Sequence, residues 1–396
     1  MEIQFSKRSA NVKKSFIREI FKVLDQPDMI SLSGGFPNPN SFPVKEIAEA
    51  SRKVLAEDGK VVLQYASTEG YVPLRKYISA RYKKRFGLEV PFEQILITNG
   101  SQQALDLLGK ILIDEGDDVI VEYPSYLGAL QSMTFYQPHF HEVQLKEDGV
   151  DLVMLEEILK NHKPRFFYTV PNFQNPTGLT YSPVNRKAVA DLINKYQTLL
   201  VEDDPYSELR FYGDDTLPIK VYLGERGILL GSFSKIVSPG MRLGWVVASP
   251  EIMDKLITAK QATDLHTNFF AQRVIYQYLA DNDLDAHVAT IKTMYRKQRD
   301  CMVTMIDRYF PEGVTTTKPE GGMFMWVTLP EGISSMKLID KAIAAKTVFV
   351  PGDPFYVNTT DANTMRLNYT NCNEAEIEEA IKRLGKVIQE AIDQQK

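Results

Sequence analysis

Cysteine is scarce in this sequence of 396 residues, with only Cys301 and Cys372 present. Two thiols build neither a disulfide framework nor a zinc ligand set, and such low usage suits a reducing compartment. A basic excess is also missing. Lys+Arg 46 against Asp+Glu 51 gives a formal charge of −5, which argues against a nucleic-acid partner, because phosphate binding needs a basic face. No run approaches the roughly 18 apolar residues of a membrane span. The opening MEIQFSKRSANVKKSF has early charges and no apolar h-region, so no secretory signal is read. The expectation is a cytoplasmic protein with no membrane association. There is no low-complexity segment, no internal repeat, no Walker loop, no HExxH and no GxSxG. His139 and His141 share a strand face at most. Without a third ligand they read as a surface pair, and no metal is expected.

What is present is an ordinary globular balance, 44% hydrophobic and 24% charged, enough to bury a large core. Val12, Phe16, Ile20 and Leu24 fall at helical spacing until Pro27 stops the pattern. A loop rich in Gly and Pro, SLSGGFPNPNSFP, follows. From about residue 93 short apolar runs alternate with amphipathic ones. Strands are expected at Ile95–Thr98, Val119–Glu122, His141–Leu145, Phe166–Val170, Leu199–Glu202, Ile228–Gly231 and Trp245–Ala248. Helices are expected between many of them, as at Gln102–Ile113 and Asn185–Tyr196. This alternation predicts an α/β fold with a mainly parallel sheet of seven strands flanked by helices. The short Gly231–Trp245 link leaves little room for a crossover, which suits an antiparallel pair there. After about residue 285 the pattern changes to a smaller α+β unit. It holds a long helix, the strand-like FMWVTLP, a helix near Lys337–Lys346, TMRLNYT, and a last amphipathic helix over Glu374–Gln394 with a capping box from Asn373 to Glu376.

In a parallel sheet of this kind, ligands sit beyond the carboxyl ends of the strands. ILIT is followed by Gly100-Ser101-Gln102, a turn opening a helix and therefore a candidate anion site. FFYTV is followed by a loop containing Asn175, and LLVE by Asp203 and Tyr206. ILLG is followed by Ser232, Ser234 and Lys235, and then by Arg242. One edge thus collects an anion cradle, an amide, a carboxylate, a phenol, hydroxyls, an amine and a guanidinium. A lysine at a strand end, flanked by hydroxyls and near an arginine, can have its amine pKa lowered and act as a nucleophile toward a carbonyl. A carboxylate keeps a ring nitrogen protonated, and a Gly-Ser turn with an arginine holds phosphate. Together these are the requirements of pyridoxal phosphate.

The residues NPTG at 175–178, DDPY at 203–206, SFSK at 232–235, PGMRLG at 239–244 and MRLNY around Arg366 resemble those of class I aminotransferases of the fold type I pyridoxal-phosphate superfamily. IREI, SLSGGFPNPNSFP, LQYASTEG and TVPNFQNPTG place the resemblance nearest the 2-aminoadipate/kynurenine subgroup. It covers nearly the whole chain.

The resemblance implies a role for each matched residue. Lys235 is the amine that carries pyridoxal 5′-phosphate and later moves the substrate proton. Asp203 pairs with the pyridinium nitrogen. Asn175 and Tyr206 bind the 3′ oxygen. Ser101, Gln102, Ser232, Ser234 and Arg242 hold the phosphate, and Tyr126 stacks on the ring. Tyr65 reaches the phosphate of a neighbouring subunit, which implies a homodimer with a shared active site. Arg366 grips the substrate carboxylate, helped by Asn175 and the Gly35 backbone, and Arg18 binds a side-chain carboxylate. The same resemblance divides the chain into an N-terminal helix and substrate loop at 1–40, a large cofactor domain at 41–285 and a small domain at 286–396, with 1–40 joining the small domain. It implies ping-pong transfer of an amino group from acidic, aromatic or aliphatic L-amino acids to an acceptor such as 2-oxoglutarate. The rival readings are a carbon–sulfur lyase, decarboxylase or cyclopropane-forming synthase on the same body, and a non-catalytic regulatory module. The regulatory reading is weakened because no basic domain of suitable size precedes the catalytic body.

Overall fold

The computed structural model describes residues 3–10, 12 and 27–395. The helix expected around Phe16, Ile20 and Leu24 lies outside these residues, as does Arg18, and Val12 belongs to no element. The main sheet is formed by β2 (Ile95–Thr98), β3 (Asp118–Tyr123), β4 (His139–Lys146), β5 (Gly149–Val150), β6 (Phe166–Thr169), β7 (Leu199–Asp203), β8 (Gly227–Ser232) and β9 (Gly244–Val247). Their order is β2-β9-β8-β7-β6-β3-β4-β5. All seven expected strands are therefore present. The eighth, β5, is two residues long, too short to show a period, and pairs antiparallel with β4.

Five strands, β4, β3, β6, β7 and β8, run parallel in sequence across the sheet. The Gly231–Trp245 link does join an antiparallel pair, β8–β9, and β9 pairs antiparallel again with β2. Central strands such as FFYT in β6 and GILLGS in β8 are buried at every residue. That is the signature of strands covered on both faces, and it explains why they read as apolar runs rather than alternations. Chain order reverses between β3 and β6. A crevice opens at such a switch point beyond the carboxyl ends.

A second, antiparallel sheet, β10-β11-β14-β13, contains β10 (Thr315–Thr316), β11 (Phe324–Thr328), β13 (Val350–Pro351) and β14 (Thr364–Asn368). Near it, β1 (Ile30–Ser31) pairs in parallel with β12 (Thr347–Val348), tying the N-terminal segment to the C-terminal part. One hydrophobic cluster runs from the main sheet (Leu230, Val246) into this sheet (Phe324, Leu367). The last helix, Glu374–Asp393, opens on the expected box: Asn373 Oδ1 accepts from the Glu376 N–H at 3.0 Å, and Glu376 Oε2 accepts from the Asn373 N–H at 2.8 Å. Among the described residues no helix is long and apolar enough to cross a membrane.

Candidate active site

The carboxyl ends of the parallel strands and the edge of β14 enclose a cavity of about 490 Å³. Its lining includes Gly35, Ser101, Gln102, Tyr126, Asn175, Asp203, Tyr206, Ser232, Ser234, Lys235, Arg242 and Arg366. Of the residues singled out from sequence, only Tyr65 and Arg18 are not brought there. Tyr65 is 77% exposed and lies elsewhere on the surface, its ring edge-on to His266 at 5.9 Å. Arg18 lies outside the described residues.

Lys235 follows β8, and its Nζ donates to the Gly35 carbonyl at 2.8 Å. Burial, reinforced by the charges of Arg366 and Arg242, brings its amine down to about 8. Desolvation penalises the ammonium, so more neutral, nucleophilic amine exists near neutrality. Asp203 ends β7 and is 2% exposed. Burial pushes its carboxyl up to about 7, while the hydrogen bond from the Tyr168 hydroxyl to Oδ2 (3.0 Å) opposes the rise. Its other oxygen, Oδ1, is buried with no hydrogen-bond partner. An orphaned carboxylate oxygen is costly unless a donor arrives. A protonated ring nitrogen is such a donor, so the site fits a pyridinium.

The phosphate end is equally specific. The helix Ser101–Leu112 has Gly100 at its N-cap, at φ 74°, and no side chain caps it. Its first amides are thus left for an anion. Glycine suits position 100 because its backbone, at φ 74° and ψ 169°, lies in a region that L side chains rarely adopt. Arg242 is itself anchored on the Asn99 carbonyl at 3.0 Å. Ser232 and Ser234 are joined hydroxyl to hydroxyl at 2.9 Å. Gln102 donates to the Gly128 carbonyl at 2.8 Å and accepts from the Tyr126 hydroxyl at 3.3 Å, fixing the ring that faces the cavity.

Arg366 stands on β14, 1% exposed. Nη1 donates to Asn175 Oδ1 and Nη2 to the Ser33 carbonyl, each at 2.8 Å, while Nε is unpartnered. Its guanidinium lies 4.3 Å from the Phe324 ring centre and 5.2 Å from that of Phe355. Burial lowers it to about 10, so it remains a cation at neutral pH. No carboxylate of the described residues pairs with it. A buried cation held by neutral acceptors has the opposite charge left to bind.

Three features escaped the sequence reading. Tyr168 supports Asp203. It stands opposite Val201, two residues before Asp203 on the same face, so the strand period could have revealed it. Glu122, buried, accepts from Thr169, Tyr181, Gln174 and the Val170 N–H. Gln174 in turn accepts from the N–H and hydroxyl of Thr177, which fixes the loop bearing Asn175. Phe324 carries no local sign of a site, since an aromatic in an apolar strand reads as core.

The sequence family described as aminotransferase class I and II matches residues 27–384. The chain belongs to this family. It is 42% identical over 395 residues to aromatic-amino-acid aminotransferase 1 of Thermococcus litoralis, covering 98% of this chain and 95% of that protein. A kynurenine aminotransferase of Pyrococcus horikoshii, solved with PMP, is 43% identical and superposes with a TM-score of 0.93, covering 98% and 97% of the two chains. An alpha-aminoadipate aminotransferase of Thermus thermophilus, complexed with N-(5′-phosphopyridoxyl)-L-leucine, is 40% identical at a TM-score of 0.91, covering 98% of each. The protein is an aminotransferase whose cofactor is pyridoxal 5′-phosphate.

Proposed function

We propose that this aminotransferase takes both acidic and aromatic or aliphatic L-amino acids as donors and 2-oxoglutarate as acceptor, in two half-reactions at the cavity around Lys235. The observation that carries the reading is Arg366, a buried cation with no carboxylate partner among the described residues, on the wall that also holds Lys235 and Asp203. The relatives act on aromatic amino acids, kynurenine and alpha-aminoadipate by name, which supports the breadth of the donor set.

When bound, pyridoxal phosphate supplies a carbonyl carbon open to amines and a cationic ring that stabilises negative charge at the neighbouring carbon. The chain's residues do the rest. Ser101, Gln102, Ser232, Ser234, Arg242 and the helix amides hold the phosphate. Asp203, whose Oδ1 is buried without a partner, would keep the ring nitrogen protonated, and the Tyr168 hydroxyl holds Asp203 in place. Asn175 and Tyr206 bind the ring's oxygen, and Tyr126 covers its face. Arg366 and Asn175 fix the substrate α-carboxylate beside the Gly35 backbone. With the carboxylate fixed, Lys235 Nζ would be placed to take the Cα proton and return it, across the amino nitrogen, to the carbon that was the cofactor's carbonyl.

Arg18 is assigned to a donor side-chain carboxylate. A substrate panel on Arg18→Ala tests this. A selective loss for glutamate and 2-aminoadipate is expected, and equal losses for acidic and aromatic donors would overturn it. Release of a 2-oxo acid coupled to glutamate formation separates transamination from lyase or decarboxylase chemistry. We further assign the chain to a cytoplasmic homodimer, with residues 41–285 as the cofactor domain and 286–396, joined by the N-terminal segment, as the smaller one. Tyr65 then serves the partner's phosphate. Its exposure beside Val61 (58%) and Leu63 (74%), an apolar surface that association would cover, supports this.

A further inference from the structure

The amino-terminal end of the same sheet carries a cluster that transamination does not use. Asp118 opens β3, His141 lies near the start of β4, and His162 caps the helix Leu152–Asn161. One ligand atom from each falls within 4.8 Å of the other two, and among the described residues this is the one group of three His, Cys, Asp or Glu to do so. His141 Nε2 is 2.7 Å from Asp118 Oδ1, and His162 Nδ1 is 3.9 Å from Asp118 Oδ2. The two imidazoles lie 3.9 Å apart, tilted by 38°. The lone histidine pair expected on β4 is thus corrected: His139 is exposed and outside the group, and His141 finds its two partners on other segments.

We infer that Asp118, His141 and His162 form a binding site for a divalent transition-metal ion of the zinc type. The set is chemically apt, because imidazoles with one carboxylate suit such ions and not calcium or magnesium. The spacing is apt as well. Ligand atoms about 2.0–2.1 Å from a tetrahedral ion stand about 3.3 Å from one another, and the separations of 2.7 and 3.9 Å bracket that value. Side-chain rotations bring the three ligand atoms to this spacing, with water completing the shell. The nitrogen of His141 facing Asp118 gives up its proton to the other ring nitrogen or to solvent.

The framework holding the three is fixed independently of them. The Arg165 N–H donates to the Asp118 carbonyl at 2.8 Å, and the His162 N–H donates to the Ile158 carbonyl at 2.9 Å. The nearby cation Arg165 is engaged by Asp117 at 2.8 Å, which lessens its repulsion of an incoming ion. The cluster is partly exposed, so an ion can enter. Strand β3 spans six residues, which separates the cluster from the catalytic end by about 20 Å. The site is therefore structural: it ties the start of β3, β4 and the helix–β6 connection together.

The test uses untagged, cofactor-loaded enzyme, stripped with chelator and then titrated with zinc or cobalt alone. Wild type should bind one ion per chain at micromolar metal, with a cobalt d–d spectrum showing nitrogen ligation and a raised melting temperature. His141→Ala/His162→Ala should lose the ion, the spectrum and the melting shift while retaining kcat. His162→Ala alone, at an exposed helix end, should lose most of the affinity and serves if the double variant folds poorly. His139→Ala should bind as wild type does. No binding by wild type, or retention of the ion in either histidine variant of the cluster, would overturn the assignment, as would its loss in His139→Ala.

Discussion

Replacing Arg366 tests how the cavity recognises its substrate. The guanidinium spends Nη1 on Asn175 and Nη2 on Ser33, and keeps Nε and the remaining N–H groups for a ligand. Arg366→Lys keeps the charge but loses the fork, so one of two charge-assisted hydrogen bonds to the α-carboxylate disappears. Such a bond is worth about 1.5–3 kcal/mol, which converts to a fall in kcat/KM of roughly 10- to 150-fold. Arg366→Ala leaves the carboxylate unpaired in a buried site, a loss of about 3–5 kcal/mol, or roughly 150- to 5,000-fold. The assay is kcat/KM for an amino acid and for the amine that lacks its α-carboxylate. Discrimination between the two should shrink by the same factor, because only the amino acid uses the arginine. The cofactor's visible spectrum serves as the control for an intact site. A kcat/KM for Arg366→Ala within about threefold of wild type, or undiminished discrimination, would refute the reasoning.

Three further outcomes follow from the geometry. Folded, Lys235 loses its proton near pH 8 against an ordinary 10.5. The cofactor-free chain should therefore gain stability as pH rises from 8 to 10.5, where the unfolded state binds more protons, and carry the full penalty below pH 8. Lys235→Met should remove that slope and raise the cofactor-free melting temperature at pH 7 by a few degrees; a lower one contradicts the burial argument. Gly178 sits at φ 73° where an added Cβ would run into the Phe324 carbonyl oxygen, so Gly178→Ala should cost about 1–3 kcal/mol of stability, read by denaturant titration, and lower activity through the Asn175 loop. Mixed dimers of Tyr65→Ala and Lys235→Ala chains, each weak or inactive alone, should regain about a quarter of wild-type sites by random pairing; no recovery would place Tyr65 outside the partner's site.

The fold was legible because its central strands are short, mostly apolar runs, many of them separated by amphipathic helices, the pattern of a sheet covered on both faces. β5 was not, because two residues carry no period. Most of the cofactor-site residues were legible because they lie at or just after a strand end in the chain, where side chains meet whatever the packing details; Arg366, in the middle of β14, was legible only through the resemblance of MRLNY. Tyr168, Glu122 and Phe324 were hidden. They act through neighbours brought in from other strands, and their own surroundings in sequence are those of core residues. His162 was hidden for the same reason, since its approach to Asp118 and His141 depends on how the helix Leu152–Asn161 ends beside β3. Residues that function through non-local contacts leave no local pattern.

The proposed attachment point of the cofactor is the Lys235 amine, just beyond the end of β8. Borohydride reduction of the loaded enzyme, followed by digestion and peptide mass analysis, tests it directly. A phosphopyridoxyl mass is expected on the peptide containing Lys235 and on no other; the same mass on a different lysine, or on none, would overturn the assignment.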